Sequence, residues 1–451
     1  MPPLRASFHT LGCRLNQAET ASISASFASR GYRIVEYGAA TDVCVINTCA
    51  VTEEAEAKCR QAVRAVLRHS PQAYVVLTGC YAQVGVDTLR HISGVDLIVG
   101  TEYKMQLADL IDVPQKTDPP QVVHSPKISR GDFTMAGVGL YEGHTRANLK
   151  LQDGCNFACA FCIIPFTRGG ARSRTLPDIV REAAGLVAHG HRELVLTGVN
   201  IGTYDSAGQT LLDVIKALEQ VDGLERLRLS SIEPTTVSEA LLDWMGTSSK
   251  LCPYLHVPVQ SGDDQVLRRM KRHYSRADFV AFVEQTVRRL PDVCLGTDAM
   301  VGFPGEDSPA FTNTRTLLAD LPLAYVHVFS YSERPHTLAQ RYPDPVPAQV
   351  IQERSRLLRE LSARKKAAYY RQFSGRTLRV LFEQRDATGL YTGLSDNYIK
   401  VGVATAADLA NQFHLVQVQD VEPALARGRL IPPAMLPEAR QPDAPQHGDT
   451  V

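Results

Sequence analysis

Short apolar runs alternate with helical stretches along the first hundred residues. Ala6–Leu11, Asp42–Asn47 and Tyr74–Thr78 are rich in apolar or β-branched residues, which predicts strands. Between them, "LNQAETASISASFASRG" and "EAEAKCRQAVRAVLRHS" carry apolar positions at helical spacing. A βαβαβ order predicts a parallel, doubly wound sheet, with Val95–Val99 as a further strand. From Arg146 a second alternating series begins. Its candidate strands are Asn148–Gln152, Leu194–Thr197, Leu227–Ser231, Leu255–Val259, Leu295–Val301 and Tyr325–Phe329. Helical patterns such as "SRADFVAFVEQTVRRL" fill most of the gaps, so six βα units predict a partial (β/α)6 barrel. The intervening residues 113–145 lack a period and carry Pro and Gly, as a linker lying across a neighbouring domain would.

A basic helical stretch, "ERSRLLRELSARKKAAYYRQFSGR", follows the second series. After it, "TLRVLFEQ", "LYTGLSDNYIKVGV" and "FHLVQVQDVEP" read as strands of a small β-barrel. The last twenty residues hold five prolines and are expected to stay disordered. The expected division is therefore an α/β domain over 1–112, a linker over 113–145, a barrel over 146–374, a small β-barrel over 375–425 and a tail over 426–451.

Composition narrows the class only slightly. The 451 residues are 44% hydrophobic and 21% charged, ordinary for a chain that buries large cores. Lys+Arg and Asp+Glu number 48 each, so any polyanion site must be a local patch. Val346 to Arg385 supplies one, with ten Lys/Arg against three Glu. There Arg364, Lys365, Lys366 and Arg371 flank Tyr369 and Tyr370, which could stack on unpaired bases, or the helix could pack on the barrel with its charges in water. No apolar run reaches the roughly 18 residues of a membrane helix, and the first ten residues lack a secretory pattern. A cytoplasmic protein without membrane contact is expected. Its ten cysteines then read as thiols or metal ligands rather than disulfides.

Six of these cysteines stand in suggestive places. Cys155, Cys159 and Cys162 form a CxxxCxxC array just after the first barrel strand, at the end where barrel chemistry resides. Three ligands fit a [4Fe–4S] cluster that keeps one iron open, whereas structural zinc normally takes four. A zinc knuckle closed from elsewhere, or free thiols, are the competing readings. Cys13, Cys49 and Cys80 each close a predicted strand of the first sheet. They are 36 and 31 residues apart, yet would converge beyond the carboxyl ends of parallel strands. By themselves these three could equally be buried structural thiols. Cys44, Cys59, Cys252 and Cys294 have no ligand spacing and read as small buried hydrophobes, with an incidental surface thiol as the alternative for Cys59.

"CNFACAFCIIPFTRG" resembles the cluster motif of radical S-adenosylmethionine (SAM) enzymes, and "LQDGCNFACAFCIIPFTRGGARSR" is similar to their methylthiotransferase family. The resemblance spans nearly the whole chain. It implies a radical-SAM barrel, a TRAM-like terminal module and two [4Fe–4S] clusters. One would be held by Cys155, Cys159 and Cys162, the other by Cys13, Cys49 and Cys80. It further implies a radical made from SAM that takes hydrogen from C2 of an adenine, a sulfur delivered from the second cluster and a methyl group from a second SAM. "TLGCRLNQAET", "LTGVNIGTYD" and "YTGLSDNYIKV" resemble the branch acting on N6-threonylcarbamoyladenosine beside the tRNA anticodon. The partners implied are tRNA and an electron donor such as flavodoxin or ferredoxin. Alternatives are the same chemistry on isopentenyladenosine or on a ribosomal-protein aspartate, or a non-catalytic iron–sulfur RNA-binding protein. The chain departs from the family at His336, where Gly is usual, and at Asp307, where Thr is commoner.

Further candidates follow the barrel strands. Gly198, Asn200, Glu233 and Gln260 sit at strand ends, where a nucleoside needs close backbone approach and polar partners. The layout is similar to the family's SAM site, although a turn residue or helix cap would occupy the same places. Arg168, Arg172 and Arg174 could clamp a carboxylate or phosphate, with Arg174 assigned to SAM, or form a solvated run. His256 and His327 alternate with apolar neighbours and read as satisfied barrel histidines.

Overall fold

The first alternating series forms one parallel sheet. The computed structural model describes residues 2–135, 137–141 and 143–432, in two compact units divided after Ala368. In the first unit, β1 (Arg5–Thr10), β2 (Arg33–Val35), β3 (Val43–Thr48), β4 (Tyr74–Gly79), β5 (Leu97–Val99) and β6 (Gln121–Val123) lie in the order β2-β1-β3-β4-β5-β6, all parallel. Every residue of β3 and β4 is buried, because a parallel sheet is covered on both faces. Alternation sorts the two cores. Cys44, Ile46, Val75 and Leu77 pack with Cys59, Val63 and Val66 of the helix Glu53–His69. Val43, Val45 and Val76 pack with Ile23 and Phe27 of the helix Arg14–Ser29. Cys59 is therefore a core residue and not a surface thiol.

The second series gives β7 (Arg146–Lys150), β8 (Glu193–Thr197), β9 (Arg226–Leu229), β10 (Tyr254–His256), β11 (Cys294–Val301) and β12 (Tyr325–Ser330). They form two parallel three-stranded sheets, β9-β8-β7 and β10-β11-β12. Isolated bridges at Leu227–Leu251 and Ser231–His256 join β9 to the β10 segment, so six strands follow one another round an open barrel. A continuous apolar core from Leu149 through Leu196, Leu229 and Leu295 to Val326 fills the space between strands and helices.

Two expected boundaries change. The segment 113–145 is not wholly linker, because β6 extends the first sheet by pairing with β5. Its three residues are mostly exposed and carry no apolar alternation, so nothing in the pattern marks them. At the other end, the small β-barrel takes in Ala426–Leu430, which the expected tail included. That barrel, in the second unit, closes through Thr377–Arg385, Tyr391–Ser395, Lys400–Val403, Ala426–Leu430 and Phe413–Val421. Pairing Val416–Val421 with Ala426–Leu430 uses up an edge that would otherwise stay open. The rest of the expected tail, residues 433–451, lies outside the described residues.

The basic helix, Ala348–Arg371, favours the packed reading. Lys365 donates to the carbonyls of Ala319 and Leu321 at 2.9 and 2.7 Å. Tyr369 and Tyr370 are buried, with Tyr369 donating to the Asn397 carbonyl and the Tyr370 hydroxyl accepting from Lys400 N. Neither ring is available for stacking on a base.

Candidate metal centres and their surroundings

The order β2-β1-β3 reverses direction between β1 and β3, and ligands of such sheets bind beyond the strands' carboxyl ends at that reversal. Cys13 follows β1, Cys49 follows β3 and Cys80 follows β4, so the fold brings them to one place. Glycines allow the approach. Gly12 has φ +95°, and a Cβ there would lie 2.8 Å from Cys49 Cβ and 2.9 Å from its Sγ. Burial pushes the Cys49 thiol up to about 12, with the neighbouring Cys80 and Cys13 sulfurs adding to the shift.

The second trio occupies the loop between β7 and the helix Ile164–Arg168. Gly154, at φ +69°, opens it, and a Cβ there would stand 1.9 Å from the Gly170 carbonyl oxygen. Cys155 N donates to the Gly169 carbonyl, Cys162 N to that of Cys159, and Phe157 N to Cys155 Sγ at 3.4 Å. Burial raises Cys155 and Cys159, and pushes Cys162 to about 12 with help from the other two sulfurs. None of the six is in a disulfide.

These donor sets fit polynuclear centres. Three thiols stand together at each site, and burial raises Cys13, Cys49, Cys155, Cys159 and Cys162, an effect that a bound cation would offset by stabilising the thiolates. Sulfurs on a single zinc ion lie about 4 Å apart. The group of three whose ligand atoms all lie within 4.8 Å of one another is instead His256, Asp298 and His327 among the described residues. Neither cysteine trio is drawn in that closely.

A buried charge network connects the two centres. Arg168, 1% exposed, donates Nε to Cys80 Sγ at 3.3 Å and Nη1 to Glu19 and Asp153, each at 2.9 Å. Its Nη2 reaches Asn16 Oδ1 at 2.6 Å and Glu19 Oε2 at 3.0 Å. Lys150 bonds both carboxylates, and Lys104 pairs with Glu19 at 2.6 Å. Burial opposes the charge on Glu19, but Arg168, Lys104 and Lys150 hold its carboxyl well below the usual range. Burial also brings Lys104 down to about 8. A hexad of this kind is costly to bury and severely disrupted by removing one member.

Beside the second trio, Arg272 donates to Cys159 Sγ at 3.2 Å, to the Tyr274 hydroxyl at 2.9 Å and to Glu233. Burial raises the Glu233 carboxyl, Arg272 opposing it. Asn200 is 2% exposed; its Oδ1 lies 3.4 Å from Glu233 N, and its Nδ2 is buried without a hydrogen-bond partner among the described residues. Gln152 ties β8's end to the cysteine loop, accepting from Val199 N and Asn200 N at 3.0 Å and donating to the Gly154 carbonyl at 2.7 Å. A Cβ on Gly198 would come within 3.0 Å of Gln152. Gln260 adopts φ +65°, unusual for a side chain-bearing residue, with its backbone bonded across to Asp298 and Met300. Gly198, Asn200 and Glu233 thus line the loop's edge, and Gln260 stands at the end of the neighbouring strand segment. The orphaned Asn200 amide is the feature that best suits a polar ligand such as SAM.

Arg174 does not belong to this set. It is fully buried, with Nε bonded to Asp178 at 2.5 Å and Nη1 to Glu182, both on the helix Leu176–Ala188. Its guanidinium is consumed in fastening that helix. Arg172 lies over the Phe133 ring and pairs with Asp153 at 3.6 Å. Asp307 caps the helix Ser308–Asp320 by accepting from Ala310 N at 2.8 Å, a role that Thr also performs. His336 has φ +67°, which accounts for a glycine preference at that position. Sequence reasoning missed Arg272, Glu19, Asn16, Lys104, Lys150, Asp153 and Asp298. Of these, only Asn16 and Glu19 carried a signal, standing one helical turn apart beside Cys13.

Comparison with known proteins matches two family models to the chain. Residues 5–100 match the model of the uncharacterized protein family UPF0004, and residues 149–318 that of the radical SAM superfamily. The chain is 34% identical over 419 residues to the threonylcarbamoyladenosine tRNA methylthiotransferase MtaB of Bacillus subtilis, covering 91% of this chain and 93% of that one. The Aquifex aeolicus protein of the same name is 35% identical, covering 88% and 96%. The tRNA-2-methylthio-N(6)-dimethylallyladenosine synthase of Cereibacter sphaeroides is 32% identical, covering 93% and 97%. Among solved structures, the radical SAM methyltransferase TsrM of Kitasatospora setae, with cobalamin and a [4Fe–4S] cluster bound, shares the fold at a TM-score of 0.55 and 15% identity, covering 88% and 82%.

Proposed function

The chain belongs to the radical S-adenosylmethionine methylthiotransferases, and from that premise we propose that its substrate nucleoside is N6-threonylcarbamoyladenosine of tRNA, methylthiolated at C2. It is a tRNA methylthiotransferase that uses SAM and [4Fe–4S] clusters. On the proposed reading Cys155, Cys159 and Cys162 hold the cluster that binds SAM, and Cys13, Cys49 and Cys80 hold the auxiliary one. When bound, these groups supply the radical that takes hydrogen from the adenine C2 and the methylthio group that replaces it.

The protein's own part is to bind, orient and keep the site dry. Arg272 fixes Glu233 and Cys159 together, so a SAM ligand of that loop meets a set carboxylate. The Asn200 amide donates to a polar atom of SAM, and Gly198 lets the nucleoside approach the backbone. Arg168 and its carboxylate partners seal the space between the two cysteine trios with a charged but fully paired layer. A flavodoxin- or ferredoxin-type donor and a cytoplasmic setting, where tRNA is modified, accompany this reading.

The observation carrying the substrate assignment is the 34–35% identity, across nine-tenths of the chain, to relatives named for threonylcarbamoyladenosine. The dimethylallyladenosine synthase, at 32%, keeps the prenylated nucleoside as the second reading. Deleting the gene in its host and profiling tRNA nucleosides by mass spectrometry separates them. Loss of 2-methylthio-N6-threonylcarbamoyladenosine, with its precursor accumulating and the gene restoring product, is expected. Loss of the prenylated methylthio nucleoside instead would transfer the assignment to the second reading.

A further inference from the structure

The barrel interior holds one more cluster of ligand-type side chains. Asp298 of β11 lies 2.8 Å from Nε2 of His256 on β10 and 3.4 Å from Nδ1 of His327 on β12. His256 Nδ1 meets the Tyr325 hydroxyl at 3.0 Å, which lies 2.8 Å from that of Tyr254. Both nitrogens of His256 are thereby engaged, and the residue is buried. His327 is tied through Nδ1, and its side chain is 59% exposed. Burial pushes Asp298 up, but the two imidazoles bring it down to about 2, so it is a carboxylate.

This cluster shares a space with the cysteine loop. Asp298 acts electrostatically on Glu233, which Arg272 holds while also donating to Cys159. The charged groups facing it are thus Glu233 and Arg272, besides the histidines themselves. A single metal ion between the three would have to displace His256 from Asp298. With both nitrogens of His256 engaged, His327, paired with Asp298 through Nδ1 and 59% exposed, is the ring that keeps a nitrogen, Nε2, for a ligand. A histidine whose far nitrogen is fixed by a carboxylate has a set ring orientation.

We propose that His327, oriented by Asp298 and backed by His256, selects the N6 substituent of the target adenosine, favouring one with a carboxylate and hydrogen-bonding groups over an apolar one. The inference rests on the reading that an N6-modified adenosine of tRNA enters this barrel. A threonylcarbamoyl group offers a carboxylate, a hydroxyl and a urea as hydrogen-bond partners to His327 Nε2, the ring being held in place by Asp298. A dimethylallyl group in the same place would strip water from His327 and Asp298 and return no hydrogen bond. Sites built to bond a polar substituent reject apolar analogues far more strongly than apolar pockets reject polar ones.

The test compares anticodon stem-loops carrying either substituent, with the reconstituted full-length enzyme and its His327→Phe and His327→Gln variants. Methylthio product, 5′-deoxyadenosine release and equilibrium affinity for each RNA are measured. His327→Phe is expected to lower the preference for the threonylcarbamoyl RNA, in kcat/KM and in affinity, by about tenfold or more. His327→Gln, which keeps a donor, should retain most of that preference. An unchanged preference in His327→Phe overturns the proposal. So does a loss of 5′-deoxyadenosine release equal for both RNAs, which would assign His327 to SAM. If the wild-type enzyme itself prefers the prenylated RNA, the substrate reading fails first, and that result is distinct from either.

Discussion

Arg168 donates its Nε to Cys80 Sγ at 3.3 Å while two carboxylates, Glu19 and Asp153, hold its remaining nitrogens. The arginine belongs to the segment just after the CxxxCxxC loop, and the cysteine directly follows a strand of the first sheet. One side chain therefore ties Cys80 to the barrel, and on the proposed reading Cys80 is a ligand of the auxiliary cluster. Arg168→Gln leaves Glu19 and Asp153 underpaired in a fully buried setting, a loss of about 3–5 kcal/mol. Urea unfolding measures that loss. Iron analysis is expected to give about half the wild-type content, the shortfall falling on the auxiliary centre. Full iron with unchanged stability would show that Cys80 needs no such support.

The two cysteine trios are expected to separate by function. Cys80→Ala should still release 5′-deoxyadenosine from SAM while forming no methylthio product. Cys162→Ala should lose both. Liquid chromatography of SAM products alongside nucleoside analysis reads the two activities, and full methylthio product from Cys80→Ala would remove the auxiliary cluster from sulfur delivery.

Gly154 tests the loop that carries the second trio. Alanine there meets the Gly170 carbonyl oxygen at 1.9 Å and must also adopt φ +69°. The strain alone costs about 1–3 kcal/mol, and relieving the clash moves Cys155, whose N–H bonds the adjacent Gly169 carbonyl. Gly154→Ala should therefore lose the visible absorption of the SAM-binding cluster on reconstitution while keeping that of the auxiliary one. Normal absorption in that variant would mean the loop tolerates the shift.

Legibility followed the range of the interactions. The barrel strands were readable because each carries buried apolar residues, Leu227 and Leu229 or Leu255 for instance, and the converging cysteines were readable because strand ends in a parallel sheet point one way. The edge strand Gln121–Val123 was not, being three residues long and mostly exposed. Arg174 was misassigned to SAM although Asp178 and Glu182, four and eight residues on, mark one face of the helix that takes it up. Arg272 was hidden in "RMKRHY", a string that reads as surface charge until folding sets it against Glu233 and Cys159. Long-range pairing of polar groups has no local signature, and both the charge hexad and the His256–Asp298–His327 cluster depend on it.

Glu193 makes a pH prediction outside the functional centres. Burial raises its carboxyl, but Arg228 and Arg226 overcome this and bring it to about 2, from an ordinary value of 4.5. A carboxyl depressed on folding contributes stability that is complete above its unfolded value and lost as pH falls towards the folded one. The contribution is about 3 kcal/mol, present above pH 4.5 and vanishing towards pH 2. Urea denaturation of cluster-free protein at pH 6 and pH 3.5 should show this loss in the wild type. Glu193→Gln, already lacking the charge, should be less stable at pH 6 and lose less on acidification. Equal pH slopes would contradict the assignment.

His336 is where the chain departs from the family's glycine, and its φ of +67° assigns a cost to the departure. The left-handed region costs an ordinary residue about 1–2 kcal/mol relative to glycine. Glycine in turn gives the unfolded chain more freedom, which offsets about 0.4–1 kcal/mol of that gain. The remaining term is the contact between the His336 and Phe166 rings, whose centroids lie 5.7 Å apart beside the cysteine loop. His336→Gly should therefore stabilise the chain by up to about 1 kcal/mol if that ring contact is weak. Adding Phe166→Ala in a double-mutant cycle isolates the contact. Destabilisation by His336→Gly that disappears in the Phe166→Ala background would show that histidine is kept at this strained position for its ring, and stabilisation in both backgrounds that the strain is uncompensated.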